Sequence, residues 1–258
     1  MSLKVIISGA SSGLGKALAH HYAGIGATLG LIARRGDLLE ALAAELSSAP
    51  SSSASIYVAD VRDAPVIRTA AEDFMHRYGC PDIVIANAGI SRGTLIEYAE
   101  DGEVFEDILA TNLVGMVNLF QPFANAMRAA RHGSLVGIAS VAGYRGLPGS
   151  GAYSASKAAA ISYLESLRVE MHRSGVSVIT ICPGYVVTPM TANNPFPMPF
   201  ILTAEEVAEK IVRVVENKTS FAVIPWQMAI VARLLRLLPN FLYDRLFANA
   251  PRKPRETA

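Results

Sequence analysis

The chain has 258 residues, of which 51% are apolar and 17% charged, and its formal net charge is +1. This length suits one α/β domain, and the near-neutral charge argues against a nucleic-acid partner, which would require a marked basic excess. The high apolar content indicates a large interior or an apolar association surface. Two cysteines, Cys80 and Cys182, are too few for a disulfide framework, so we expect reduced thiols in the cytoplasm.

Targeting and metal-binding signals are absent from the sequence. Residues 1–7 enter an apolar strand without the regions of a signal peptide, and no apolar run reaches the ~18 residues of a membrane span. The histidines do not cluster with cysteines or carboxylates at ligand spacing. We therefore predict no secretory signal, no transmembrane helix and no metal site.

Predicted strands and helices alternate along the chain. Apolar runs predict strands over residues 4–8, 26–33, 56–59, 83–86, 134–140, 176–182 and 221–224. Periodicity predicts helices over residues 16–23, 37–46, 65–78, 104–131, 152–172 and 203–217, with Asp37 and Glu40 capping the second and Thr203 and Glu206 the last. The serine-rich residues 47–55 are predicted to form a surface loop. This alternation predicts one α/β domain, with a doubly wound parallel sheet of about seven strands covered by helices on both faces.

A glycine-rich turn, Gly9-x-x-x-Gly13-x-Gly15, joins the first strand to the first helix. Backbone NH groups and the helix N-terminus could hold a pyrophosphate there. The spacing departs from the dinucleotide fingerprint G-x-G-x-x-G, and such turns also serve close packing alone.

Tyr153 and Lys157 are four residues apart, which places both on one face of the predicted helix. A phenol has a pKa of ~10 and is a poor base at neutral pH, but a neighbouring ammonium favours the phenolate. Ser140 ends a predicted buried strand. Its side chain would therefore emerge at the carboxyl ends of the strands, where ligands bind in open α/β folds. The alternative is an ordinary half-buried aromatic beside a solvated lysine.

Six elements together resemble the short-chain dehydrogenase/reductase family. They are the turn 9–15, Asn87-Ala88-Gly89, Asn112, Ser140, Tyr153 with Lys157, and Pro183-Gly184, and the resemblance covers about residues 3–190. It implies a Rossmann-like fold and an NAD(P)-dependent enzyme that interconverts a carbonyl and an alcohol.

The resemblance implies four catalytic residues. Tyr153 is similar to the family's proton donor or acceptor, and Lys157 to the residue that binds the nicotinamide ribose and lowers the tyrosine pKa. Ser140 would hold the substrate oxygen, and Asn112 a water that links Lys157 to solvent. Asn112 could instead only cap or kink a helix.

The resemblance also implies a cofactor site. Asp60 looks like the adenine contact, residues 87–89 like the brace beside the adenosine, and residues 183–188 like the seat of the carboxamide. Together with two arginines considered next, the expected cofactor contacts are Gly9, Ser11, Ser12, Gly13, Leu14, Gly15, Arg34, Arg35, Asp60, Val61, Asn87, Ala88, Gly89, Tyr153, Lys157, Pro183, Gly184, Val186 and Thr188.

The end of the second strand favours NADP(H) over NAD(H). Arg34 and Arg35 follow it, whereas an NAD-binding site would place an acidic residue there for the ribose 2′-hydroxyl. Asp37 competes for that role but is explained as a helix cap. The two arginines could also be plain surface charges.

The substrate end and the C-terminal region follow the resemblance less closely. Residues 190–202, which hold Phe196, Met198 and Phe200 between prolines, predict an apolar lid, or alternatively a packed surface loop, and an apolar or lipid-like substrate. We divide the chain into a catalytic domain, 1–225, and a helical extension with a basic tail, 226–258.

Two interpretations of residues 226–247, broken at Pro239, stay open. We favour a subunit contact in a homodimer or homotetramer, and the alternative is a helix lying on a membrane. The basic residues 252–255 suit anionic lipid or a disordered, solvated end. At the level of function, the alternative to an enzyme is a sensor or scaffold that binds NADPH without turnover.

Overall fold

The protein is built on a seven-stranded parallel sheet. The computed structural model describes residues 2–47 and 53–255. Its strands are β1 (Lys4–Ser8), β2 (Thr28–Ala33), β3 (Ser53–Val58), β4 (Ile83–Ala86), β5 (Ser134–Ile138), β6 (Ser177–Pro183), β7 (Val186–Val187), β8 (Leu202–Thr203) and β9 (Phe221–Ile224). The main sheet has the order β3-β2-β1-β4-β5-β6-β9, and β7 pairs with β8 separately. The predicted doubly wound α/β fold is confirmed.

Helices cover both faces of the sheet. They are α1 (Gly13–Gly24), α2 (Gly36–Leu46), α3 (Ala64–Tyr78), α4 (Asp101–Leu109), α5 (Gly115–Ala130), α6 (Gly151–Glu170), α7 (Ala204–Glu216), α8 (Trp226–Leu237) and α9 (Asn240–Phe247). In β1, Val5 and Ile7 enter the core beneath α1, α2 and α7, whereas Ile6 enters the core beneath α3, α5 and α6. Successive side chains of a strand point to opposite faces, so the three residues in the middle of this strand are all apolar.

Most element bounds follow the prediction, and the exceptions have local causes. The segment predicted as one helix over 104–131 is divided by a π-helical turn, Ala110–Val114. Residues 53–55, predicted as loop, form strand because Ser53–Val58 pairs along β2. Residues 48–52 of that predicted loop lie outside the described residues.

One of the two predicted helix caps is wrong. Helix α2 begins at Gly36, after Arg35 in an extended conformation, and no side chain caps it, so Asp37 and Glu40 do not form the expected pair. The cap at α7 is confirmed: the Glu206 NH donates to Thr203 Oγ1 at 3.2 Å, and the Thr203 NH donates to Glu206 Oε2 at 2.8 Å.

The last two helices pack on the loop that follows β5. Arg145 donates to the carbonyl oxygens of Leu235 and Leu238 at 2.5 and 2.6 Å, and its guanidinium lies 3.9 Å from the centroid of the Tyr243 ring. The Tyr243 hydroxyl donates to the carbonyl of Gly146 at 2.6 Å. One loop therefore anchors both helices. Within 2–47 and 53–255, no helix is long and apolar enough to cross a bilayer.

Candidate active site

A cavity of about 570 Å³ opens at the carboxyl ends of the strands. It lies where the strand order reverses, because the chain runs from β1 to β2 on one side and returns to β4 on the other. Ligands bind at this switch point in open α/β sheets. Among the residues that line the cavity are Gly9, Ser11, Ser12, Gly13, Leu14, Arg34, Arg35, Asp60, Val61, Asn87, Ala88, Gly89, Ser140, Tyr153, Lys157, Pro183, Gly184, Val186 and Thr188.

The glycine turn is held by close backbone contacts. Gly9 has a φ of +66°, a conformation that L side chains rarely adopt. A methyl group on Gly15 would lie 2.2 Å from the carbonyl oxygen of Gly9. Asn87 Nδ2 donates to the carbonyls of Ser8 and Gly9 at 3.1 and 3.3 Å, which ties the turn to the end of β4. Gly15 therefore packs the turn and does not line the cavity.

We expect Gly15→Ala to destabilise the protein by about 1–3 kcal/mol, because the new methyl group meets backbone that cannot move aside. Gly24→Ala, in the same helix, is the matched control, since no atom lies within 4 Å of its added methyl group. Denaturant unfolding would measure both changes in the free energy of unfolding. Equal stability of the two variants would contradict the packing role of Gly15.

Two arginines reach the cavity beside this turn. Arg35 Nη2 donates to Ser11 Oγ at 3.0 Å and to Ser12 Oγ at 2.8 Å. Arg34 Nη1 lies 3.9 Å from Asp60 Oδ2 and keeps an exposed side chain. A phosphate group could accept hydrogen bonds from both guanidinium groups and from the serine hydroxyls.

Asp60 lines the cavity, but its carboxylate is already engaged by protein groups. Arg62 donates to it through its side chain at 2.8 and 2.9 Å and through its backbone NH at 2.9 Å. Burial alone would raise the pKa of Asp60, but these hydrogen bonds hold it below its ordinary value. An adenine amino group would therefore meet a charged, firmly oriented acceptor.

Ser140, Tyr153 and Lys157 converge on the cavity. Lys157 lies 5.8 Å, measured from Nζ, from the centroid of the Tyr153 ring, and donates to the carbonyl of Ile138 at 2.7 Å. Burial raises the pKa of Tyr153, and hydrogen bonding with Ser140 offsets this only in part. Burial also lowers the pKa of Lys157 to about 8. The expectation that Lys157 lowers the pKa of Tyr153 is not met in this structure, because burial raises that pKa and Lys157 is not among the groups that lower it.

Asn112 lies behind the cavity and does not line it. Its Oδ1 accepts from the NH of Ile90 at 2.8 Å, and its Nδ2 donates to the carbonyl of Ile90 and to Ser156 Oγ, both at 3.0 Å. Asn112 lies in the π-helical turn, and this position agrees with the alternative that it only caps or kinks a helix. The amide joins the loop after β4 to α6 and thereby supports the backbone on two sides of Lys157.

The predicted lid meets the cavity only at its start. Residues 188–191 line the cavity. The β7–β8 pair holds together the two ends of the loop 188–201. Phe196 packs against Tyr185, with ring centroids 6.2 Å apart, and Phe200 is exposed. The outer part of residues 190–202 therefore matches the packed-loop alternative more closely than an apolar roof over the cavity.

The basic end of the chain is docked, contrary to the expectation of a solvated or lipid-bound tail. Arg255 donates to both carboxylate oxygens of Asp101 and, at 2.7 Å, to Glu100 Oε1, and lies 3.5 Å from the centroid of the Tyr98 ring. The Pro254 carbonyl accepts from the NH of Gly93 at 3.1 Å. Residues 251–255 therefore brace the loop after β4, whose residues 90–92 line the cavity.

We expect Arg255→Gln to release this segment, because the neutral amide cannot bind Asp101 and Glu100 together. Amide hydrogen exchange of peptides covering 91–98 and 251–255 should become faster. Arg213→Gln, which removes an exposed pair with Glu209 on α7, is the control and should leave both peptides unchanged. Unchanged exchange in the Arg255 variant would show that other contacts hold the segment.

A sequence model described as short chain dehydrogenase matches residues 3–196, about three quarters of the chain. The chain belongs to the short-chain dehydrogenase/reductase family. It is therefore an oxidoreductase of the type that acts on CH–OH and carbonyl groups, and its family binds NAD(P).

Several relatives match this short-chain dehydrogenase/reductase over most of its length. An uncharacterized oxidoreductase of Myxococcus xanthus is 36% identical over 240 residues, covering 93% of this chain and 94% of the relative. The bovine dehydrogenase/reductase SDR family member 7B is 32% identical, covering 98% and 82%. The structure of an alcohol dehydrogenase from Thermococcus sibiricus, complexed with 5-hydroxy-NADP, has a TM-score of 0.78 at 26% identity and covers 87% and 96%.

Sequence reasoning missed several residues that line the cavity of this family member. Arg92 and Thr111 lie on its wall, as does Ile90. None stands in a recognisable pattern, although the position of Arg92, shortly after Asn87-Ala88-Gly89, could have singled it out. The expected catalytic and cofactor residues line the cavity, except Gly15 and Asn112, which support it from behind.

Proposed function

We propose that the protein is an NADP(H)-dependent oxidoreductase that interconverts a carbonyl and an alcohol, with Tyr153 as proton donor and acceptor. The observation that carries the proposal is the convergence of Ser140, Tyr153 and Lys157 on one cavity with the glycine turn. When bound, the nicotinamide cofactor supplies or accepts the hydride. The chain itself supplies binding, orientation and the proton.

The protonation state of Tyr153 suits reduction. Its raised pKa keeps the phenol protonated at neutral pH, so it can donate a proton to the oxygen that becomes the alcohol. Ser140 lies in the same cavity and can donate a hydrogen bond to that oxygen. Lys157, with its Nζ beside Gly89 and its ammonium charged at neutral pH, would hold the ribose of the cofactor.

Two arginines and two serines support NADP(H) over NAD(H). Arg34 and Arg35 border the cavity, and the hydroxyls of Ser11 and Ser12 already receive hydrogen bonds from Arg35. An anionic 2′-phosphate could pair with both guanidinium groups, whereas a neutral 2′-hydroxyl offers them no opposite charge. The NADP derivative in the Thermococcus sibiricus alcohol dehydrogenase agrees with this choice.

A panel of ketones, steroids and long-chain 3-oxo compounds, followed by NADPH absorbance, tests the proposal. Oxidation of NADPH with any apolar carbonyl compound is the expected result, because the lining includes Ile90, Val186 and Met190. Saturable NADPH binding without oxidation across the whole panel would favour the alternative of a sensor or scaffold.

Cofactor affinity should depend on pH through Lys157. Its pKa is about 8, so the ammonium is present below pH 8 and is lost above it. We therefore expect NADPH to bind more weakly as the pH rises from about 7 to about 9.5. Fluorescence titration measures this, and Lys157→Met should bind weakly at both pH values. A wild-type affinity that does not change over this range would contradict the role of Lys157.

The assembly and location remain predictions of the same proposal. We expect a homodimer or homotetramer in the cytoplasm, and sedimentation velocity would measure its mass. The division into a catalytic domain, 1–225, and an extension, 226–258, is tested by removing the extension and asking whether the shorter chain still binds NADPH.

A further inference from the structure

Helices α8 and α9 both present large apolar side chains to solvent, which together are called the apolar stripe. On α8 these side chains follow helical spacing, and each member of the stripe is between 49% and 78% exposed. They are Trp226, Ile230, Leu234 and Leu237 on α8, and Phe241 and Leu246 on α9. A soluble monomer rarely exposes so many large apolar groups together, so this outer face indicates a binding surface.

The same outer face is positively charged. Arg233 and Arg245 are exposed, at positions beside the stripe on α8 and between Phe241 and Leu246 on α9. Arg236 donates to the carbonyl of Tyr144 at 3.1 Å and so faces the loop after β5. The two helices contain one acidic residue, Asp244. Within the described part of the chain, none of the three arginines forms an ion pair. Apolar and cationic groups therefore share one surface.

The inner faces of both helices pack on the protein body. Arg145 donates to carbonyls at the end of α8, and the Tyr243 hydroxyl of α9 donates to the carbonyl of Gly146. Because one loop anchors both helices, their outer faces point away from the same body. The stripe cannot be buried by a simple rotation of either helix without the loss of these bonds.

We infer that the outer face of α8 and α9 docks on an anionic lipid surface. An interfacial helix combines an apolar face, often with Trp, Phe and Leu, with arginines that attract anionic headgroups. A second copy of the chain fits this face less well, because a two-fold contact would bring the arginines of both copies together. Neither helix is long enough to span a bilayer, so the contact is peripheral.

The docked helix α8 packs with its inner face on the wall of the cavity. Helix α8 begins directly after the carboxyl end of β9, and the side chain of Met228 packs against Gly184, which lines the cavity. This consequence rests on the proposed function: an apolar carbonyl substrate could then enter from the lipid surface. The docking itself can be measured without turnover.

The chain contains one tryptophan, Trp226, which lies in the stripe and reports on docking. The full-length protein is mixed with vesicles of phosphatidylcholine and phosphatidylglycerol, or of phosphatidylcholine alone. We expect Trp226 emission to shift to shorter wavelength and the protein to float with the anionic vesicles, and high salt to weaken both effects. Equal flotation with both vesicle types would overturn the requirement for anionic lipid.

Variants separate the apolar and cationic contributions. Leu237→Glu should abolish flotation, whereas Ile25→Glu, at a 57% exposed position after α1, should leave it unchanged. Arg245→Gln should weaken partition into the anionic vesicles by roughly fivefold. Retained NADPH binding confirms that each variant folds and separates this test from the fate of the proposed function.

Two further outcomes overturn the inference. One is the absence of flotation with either vesicle type. The other is a Trp226 shift that rises with protein concentration in the absence of lipid, together with a dimer mass in sedimentation, because a second copy would then cover the stripe.

Discussion

Tyr153→Phe should lower kcat by about 10²- to 10⁴-fold while NADPH binding stays close to that of the wild type. The phenol hydroxyl is the group we propose to give its proton to the substrate oxygen, and phenylalanine keeps the ring but removes the proton. Steady-state kinetics measure the loss of turnover, and fluorescence titration measures the binding of NADPH.

The control is Tyr163→Phe, which removes a hydroxyl from the same helix at a position that does not line the cavity. It should retain nearly full activity. Turnover of Tyr153→Phe at the wild-type rate would remove Tyr153 from the proposed mechanism. An equal loss in both variants would point to a general perturbation of α6.

The double variant Arg34→Ala with Arg35→Ala should lower NADP affinity by about 10- to 100-fold, and NAD affinity much less. Hydrogen bonds to charged groups contribute ~1.5–3 kcal/mol each, and the exposure of Arg34 places the effect near the lower end. Isothermal titration with both cofactors measures the ratio of the two affinities.

The ratio is the decisive quantity, because Arg35 also donates to Ser11 and Ser12 and its removal could loosen the glycine turn for either cofactor. Arg77→Ala, which removes an exposed pair with Asp73 on α3, controls for the loss of a surface charge. An equal loss of NAD and NADP affinity would contradict the proposed 2′-phosphate contact.

Local sequence patterns were sufficient for the sheet and for most of the cavity. Strands β1, β4 and β9 were predicted with their observed bounds, because a strand buried on both faces is a continuous apolar run between turn residues. Parallel strands end at one edge of the sheet, so motifs that follow them come together without any knowledge of long-range contacts. This explains why the glycine turn and Ser140 were placed in one site, whereas Asn87 was placed there by the resemblance to the family.

Residues that act from behind the cavity were harder to assign. Gly15 and Asn112 stand in motifs like those of cofactor and catalytic residues, yet their neighbours in space are Gly9 and Ile90. A motif identifies which residue type the fold requires at a position. It does not distinguish contact with a ligand from support of a neighbouring turn, because both roles demand the same residue.

Only the tertiary structure decided features that depend on contacts between distant parts of the chain. The pKa of Tyr153 follows the burial created by surrounding elements, which the four-residue spacing to Lys157 could not predict. Arg255 forms an ion pair with Asp101, which lies 154 residues earlier in the chain. The segment that composition predicted to be a solvated or lipid-binding tail is therefore docked on the protein. The sequence by itself determined the family and the fold, because these rest on local patterns. Desolvation and long-range ion pairing decided the electrostatics of the site and the placement of the C-terminal segment.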